Sequence, residues 1–315
     1  MGSAAMRIYG RVSSLFVATF VFATIMATTS ATTSSIDLST AVLIRVDQSG
    51  RGDFKKIQDA IDAVPSNNSE LVFIWVKPGT YREKIVVPVD KPFITLSGTQ
   101  ASKTIITWSD GGDIFESPTL TVLASDFVAR LLTIENTYGS AGKAVALRVS
   151  ADRAAFYGCR ILSYQDTLLD DTGNHYYSNC YIEGATDFIC GNAASLFERC
   201  HLHTLSGRLC LEGHGVLIPK WCMALTYMSS VILPQGWDDW RDNKKQSTVY
   251  YGEYKNYGPG ANTSKRVAWS KSLSNDEAAA FLTKDVIGEK NWLRPAPSNF
   301  KRGSTIIAGK ADGTK

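Results

Sequence analysis

The chain has 315 residues, 44% of them hydrophobic and 20% charged, with 25 glycines and 10 prolines. This excludes a disordered or collagen-like polymer and leaves one large folded unit or two small ones. The formal net charge is +3, with basic residues scattered rather than striped, so nucleic acid is excluded as the main partner while weak attraction to an acidic polymer is allowed.

Arg7 and Arg11 precede an apolar run over residues 15–27, and a Thr/Ser/Ala-rich stretch follows over 28–35. That order is the pattern of a secretory signal, with cleavage expected near Ala31 and a mature chain of 32–315. The run falls short of the roughly 20 residues a membrane span needs, and no later segment is apolar enough to span. Export permits disulfides; the six cysteines allow several connectivities, so their pairing stays open. Asn67-Asn68-Ser69 and Asn262-Thr263-Ser264 permit glycosylation.

Short β-rich runs follow at 71–76, 84–89 and 93–96. A helix is expected over 55–64, where Ile57, Ile61 and Val64 share a face. Another is expected over 274–282, capped by Ser274 with acidic residues in its first turn. Between them lies a weak repeat. Phe156-x-x-Cys159, Tyr177-x-x-Cys180 and Phe197-x-x-Cys200 share one pattern, each followed by an aliphatic at Ile161, Ile182 or Leu202. An earlier copy without the cysteine begins at Phe127. A period near 20 with β content is a solenoid signature. The Leu/Asn pattern of leucine-rich repeats is absent, so a right-handed, single-stranded parallel β-helix fits best, with chance spacing in an ordinary sandwich as the alternative. Equivalent residues would then stack about 4.8 Å apart. Cys159, Cys180 and Cys200 would form an internal column in which at least one packs as a small apolar side chain.

Asp166, in Tyr164-Gln165-Asp166-Thr167-Leu168, and Asp187, in Gly184-Ala185-Thr186-Asp187-Phe188-Ile189, are separated by one coil. The repeat places both carboxylates at one angular position on neighbouring coils. Two such charges cannot both ionise freely, so one serves as base or nucleophile and the other as acid. Gln165 adds amide donors, and Asn192 follows. The alternative is a pair of turn aspartates, each bonded to its own backbone. The sequence holds no G-x-S-x-G elbow, no Walker motif and no dinucleotide-binding glycine motif, and His201 and His203 lack companions for a metal. No cofactor and no metal are expected.

At these residues the chain resembles plant pectin methylesterases, also called pectinesterases. The resemblance is carried by Gly79-Thr80-Tyr81-Arg82-Glu83, Ala144-Val145-Ala146-Leu147-Arg148, Tyr164 to Leu168, Asp187 to Ala193, Gly236-Trp237-Asp238-Asp239-Trp240 and Tyr251-Gly252-Glu253-Tyr254-Lys255. It runs from about residue 43 to about residue 300 in family order. It implies a parallel β-helix of the short type without an N-terminal inhibitor-like domain. It also implies hydrolysis of galacturonate methyl esters in pectin, releasing methanol. By motif, Asp187 resembles the nucleophile, Asp166 the general acid and then base, and Gln165 an oxyanion donor. Phe188, Trp237 and Trp240 are candidate sugar-contacting aromatics, with core packing an equal reading for Phe188. Implied partners are methylesterified homogalacturonan and a proteinaceous inhibitor. The implied setting is the plant cell wall, and a monomer is expected.

The chain departs from the family at three places. Lys143 stands where the family has Gln, one coil before Gln165, so it is expected to stack in the substrate site and stabilise an oxyanion or lower neighbouring aspartate pKa values. Cys190 replaces an aromatic. The Leu-Gly-Arg-Pro-Trp motif, whose Arg orients the nucleophile, is missing from 205–223. Synonymous codons for 211–221, read from the final base of the Cys210 codon, spell Leu-Gly-Arg-Pro-Trp-Gly-Pro-Tyr-Ser-Lys-Val, so this segment is expected to be out of frame. With the chain as written, Arg208 is the one candidate to stand beside Asp187, His214 and Cys222 carry no function, and downstream coils are expected to shift against the site. Two readings follow. One is an active pectinesterase; the other is a catalytically dead pectin-binding wall protein.

Overall fold

The computed structural model describes residues 39–205, 209–212, 220–230, 232–239, 243–287 and 292–302, with 209–212 described by backbone alone. The secretory segment lies outside the described residues, as do Arg208, His214 and Trp240.

The short runs of Val, Ile, Leu and Phe form parallel strands, because each buries side chains in the interior and bonds along its edge to the next coil. One sheet has eleven strands. It runs from Asn299–Arg302 through Thr40–Val46, Val72–Val76, Ile94–Ser97, Phe127–Arg130, Ala154–Tyr157, Asn174–Ser178, Ala194–Glu198, Lys220–Ala224 and Tyr250–Tyr254 to Lys271–Ser272. A second sheet of seven strands runs from Gly79–Arg82 to Tyr227–Met228 and includes Arg160–Leu162, Tyr181–Gly184 and His201–Thr204. A third, of five, includes Leu147–Ser150, Leu168–Thr172 and Ile189–Cys190. Successive strands visit the three sheets in turn, which is the expected right-handed parallel β-helix. The first expected helix is shorter than its sequence signal, at Ile57–Asp62; the second spans Asn275–Leu282 with Ser274 as its cap, as expected, and carries a full capping box between Ser274 and Glu277.

Register sets the coil length. Phe127 pairs with Ala154, Ala154 with His175, His175 with Ser195 and Ser195 with Trp221. The coils are therefore 27, 21, 20 and 26 residues long. The 26-residue coil contains the anomalous segment, and the chain rejoins the ladder at Lys220. The first-sheet ladder continues past it to Tyr250–Tyr254.

Inside the helix, rings stack from coil to coil. Phe156 lies 5.0 Å from Tyr177, and Tyr177 lies 4.6 Å from Phe197. Cys159, Cys180 and Cys200 form the expected column as buried free thiols; Cys180 and Cys200 each donate to a carbonyl of the preceding coil, Phe156 and Tyr177, at 3.4 Å. Cys190 and Cys222 are also buried.

The core also holds a charged centre around Asp170. Asp170 is fully buried and accepts from Tyr177 Oη at 2.7 Å, Ser195 Oγ at 2.5 Å and Trp221 Nε1 at 3.0 Å. His175 Nδ1 donates to the same carboxylate at 2.7 Å, and His175 Nε2 faces the Ala151 carbonyl at 2.7 Å. Both ring nitrogens thus meet acceptors, which an imidazolium satisfies and a neutral ring does not. Burial alone would push the His175 pKa down; the Asp170 charge and hydrogen bond, with the Ala151 carbonyl, overcome it and hold the pKa above its ordinary value.

Because the folded pKa is raised, the stability this group contributes is full below the unfolded value of about 6.5 and is lost as pH rises through the folded value. His175→Gln is expected to cost about 3–5 kcal/mol by leaving Asp170 unpaired. Chemical denaturation across pH should show the gap to wild type widest in acid and narrowing in alkali; a gap that widens with pH would refute the charged pair.

Candidate functional site

The site begins at a corner. At five of the seven turns into the second sheet one residue adopts a left-handed conformation: Leu131, Gly158, Asn179, Arg199 and Leu225, with φ of 53, 58, 52, 54 and 53°. Asp166 and Asp187 do the same between the second and third sheets, at φ 60 and 46°. Aspartate tolerates this region better than most side chains. The corner therefore carries acidic residues at the same place on two consecutive coils.

The two corners are joined through backbone. Gln165 and Thr186 form a parallel bridge, the Asp166 amide donates to the Thr186 carbonyl at 3.1 Å, and the Ala185 amide donates to the Tyr164 carbonyl at 2.6 Å. Just beyond, Leu168 pairs with Ile189. The coil spacing expected from sequence thus brings the aspartates side by side. Asp166 is 5% exposed, while Asp187 and Gln165 are half-buried. A cavity of about 240 Å³ adjoins this corner, lined by Tyr164, Ser163, Leu162, Asn136, Glu183 and Leu205 among others. Tyr164 and Leu205 were not singled out as contacts from sequence. Tyr164 lies in a quoted motif, but only the register shows that it faces a groove.

The remaining sequence candidates fall in different places. The Lys143 side chain is exposed, and its carbonyl accepts from the Gly112 amide. The third-sheet ladder pairs Leu147 with Leu168, and just before it the Ala144 amide donates to the Gln165 carbonyl, the counterpart of the bond that the Asp166 amide makes to Thr186 beside the Gln165–Thr186 bridge. That bond keeps Lys143 one coil from Gln165. Phe188 is fully buried among core side chains, so its core reading holds and the sugar-contact reading does not. Trp237 is corrected in the same way: it is 2% exposed, stacks on Tyr251 at 4.2 Å and donates through Nε1 to Glu253 at 3.0 Å. A ring closed in on both faces cannot receive a sugar. Cys190 is buried with Val145 and Leu169 under the partly buried Ile114. His201 and His203 lie within a line of outer rings, His201 at 5.0 Å from Tyr181 and 4.3 Å from Tyr227. Among the described residues no group of three or more His, Cys, Asp or Glu converges on a point.

Paired acidic corners beside a groove on a parallel β-helix define a candidate hydrolase of an extended polymer. The comparisons make the class specific. The family model described as Pectinesterase matches residues 43–210 and 220–290, breaking off at the anomalous segment and resuming where the chain rejoins the first sheet. A protein of Arabidopsis thaliana described as "Putative pectinesterase 11" is 60% identical over 299 residues, covering 85% of each chain. Pectinesterase 31 of the same plant is 35% identical, covering 81% of this chain and 96% of its own. Among solved structures, pectin methylesterase from carrot superposes with a TM-score of 0.67 at 31% identity, covering 81% of this chain and 96% of that one. The chain belongs to the pectinesterase family.

Phe188→Ala is expected to lower stability by about 3–5 kcal/mol, as for other buried aromatics. Unfolding should show this loss, with KM for pectin unchanged in the folded fraction. A raised KM at unchanged stability would return Phe188 to the sugar site.

Proposed function

We propose that this pectinesterase hydrolyses the methyl esters of galacturonate units in pectin through the Asp166–Asp187 corner. The observation that carries the reading is the backbone stacking of the two corners within a family-wide match. The Asp187 carboxylate, the more exposed of the two, attacks the ester carbonyl carbon. The Gln165 amide donates to the oxyanion as the carbonyl opens. Asp166, nearly enclosed, serves first as the acid. Its proton goes to the departing methoxy oxygen as the C–O bond breaks, leaving an acyl-enzyme on Asp187. Asp166 then takes a proton from water, which attacks the acyl carbon and frees the galacturonate carboxylate and Asp187. Lys143, which is exposed, and Trp240 are proposed substrate contacts.

The same reading makes residues 1–31 a secretory signal and 32–315 the catalytic domain. It places the protein in the plant cell wall as a glycosylated monomer acting in wall modification and pectin catabolism, open to a proteinaceous inhibitor. A second reading, pectin binding without turnover, is favoured by one finding: the family match is interrupted at 211–219, within the stretch where the orienting arginine is missing.

Methanol release from methylated pectin separates the two. Wild type should release methanol, Asp187→Ala none, and Asp166→Asn should be slower by roughly 10²–10⁴. Substantial turnover by Asp187→Ala would remove it as nucleophile. Retention on pectin without methanol from wild type would establish the second reading.

A further inference from the structure

We propose that the first coils carry a separate binding site for de-esterified galacturonan, on the outer face of the eleven-stranded sheet; the polymer's identity rests on the function proposed above. The strands Thr40–Val46 and Val72–Val76 run in register, with Arg45 opposite Trp75. Their flanking residues Ile44, Val46, Ile74 and Val76 are fully buried, so Arg45 and Trp75 point out of the helix. Lys77 Nζ stands 4.0 Å from the centre of the Trp75 ring. Together with Arg51, Asp47 and Pro78 these residues line an open cavity of about 650 Å³, larger than the groove beside Tyr164.

The chemistry of the lining selects its occupant. Three cations face one anion. That anion is already engaged: Asp47 accepts from the Ser49 amide at 2.8 Å and lies 4.0 Å from Arg51, and the Ser49 hydrogen bonds hold its carboxyl below the usual range. The site therefore attracts negative charge. On the next coil Trp75 pairs with Ser97, a small residue, and among the described residues no second ring stacks on it. An indole left without a ring partner beside two guanidinium groups and an ammonium matches a sugar ring that carries a carboxylate. The sugar's C–H face packs on the indole, and the carboxylate takes paired donors from arginine. A methyl ester lacks the charge, so the site distinguishes reaction product from substrate. Lys77 lies over the ring on a flexible stem, and a cation–π contact of this exposed kind is weak enough to exchange for a carboxylate. The strands Ile94–Ser97 and Phe127–Arg130 lie between this site and the coil of Asp166, which turns on a different corner. Product bound here would tether the enzyme to blocks it has already de-esterified.

The test is calorimetric titration of the full chain with fully de-esterified and fully methylated galacturonate oligomers, alongside methanol release from a short methylated oligomer. Trp75→Ala is expected to weaken binding of the acidic oligomer about tenfold, leaving turnover of the short ester within about twofold. Lys77→Gln and Arg51→Gln are surface changes that keep the fold, and each should reduce the same affinity and its dependence on salt. Unchanged affinity in all three variants would overturn the site, as would equally tight binding of a neutral glucan or of a sulfated polyanion. Normal methanol release with Trp75-independent binding would remove this site alone. Trp75-dependent binding without any methanol release would remove the enzymatic reading and leave the site.

Discussion

The parallel ladder between coils is the constraint on which the rest of this structure depends. Each strand bonds to the equivalent strand one coil away, so any residue type that recurs at the coil period becomes a column. Apolar recurrence gives the stacked rings of Phe156, Tyr177 and Phe197 and the thiol column of Cys159, Cys180 and Cys200. Acidic recurrence at a left-handed corner gives Asp166 beside Asp187. The same rule that fills the core therefore creates a pair of like charges at the edge. Backbone bonds hold the two corners together against the repulsion of like charges.

A second polar feature inside the ladder works in the opposite sense. Asp170 lies on the strand that follows Asp166, but faces the interior, where four donors from three later strands converge on it. A buried carboxylate is tolerated only when its hydrogen bonds are met, and here each donor comes from a defined rung. Slippage of any one strand by a residue would remove a donor and leave the charge uncompensated. The centre therefore fixes register where aliphatic packing alone would accept more than one alignment. Gly191 belongs to the same arrangement. A Cβ at that position would lie 2.0 Å from the Asp170 carbonyl oxygen, and its φ of +125° lies outside what other residues adopt. The turn that ends the Asp187 segment can therefore close against this strand only with glycine.

The sequence exposes periodicity and hides facing. Three cysteines at steps of 21 and 20 residues were enough to infer the β-helix and the aspartate pair, because those two coils are short and regular. The coils of 27 and 26 residues on either side were not legible, since loop insertions between strands leave the ladder intact while destroying the spacing. Facing failed for a different reason. Trp237 sits in a family motif, and a motif records that a ring is needed without telling whether sugar or core needs it. Trp75 lies in an apolar run that reads as a fully buried strand, yet alternation turns its ring outward. The Asp170–His175 pair, five residues apart across a turn, had no signature before the register was known.

The anomalous segment is best understood through what the ladder does around it. The aspartate corner is built by the third-sheet strands Leu147–Ser150, Leu168–Thr172 and Ile189–Cys190, all complete before residue 205. Their positions depend on bonds to earlier coils and to each other. After the segment, Lys220–Ala224 pairs with Ala194–Glu198 over five residues, and Trp221 supplies a donor to Asp170. The flanking coils are thus joined whatever sequence spans the gap. What the segment changes is the stretch in which the family carries its Leu-Gly-Arg-Pro-Trp motif. Loss of an orienting cation lowers turnover more than it lowers affinity for a polymer. For that reason, binding and methanol release have to be measured on the same preparation.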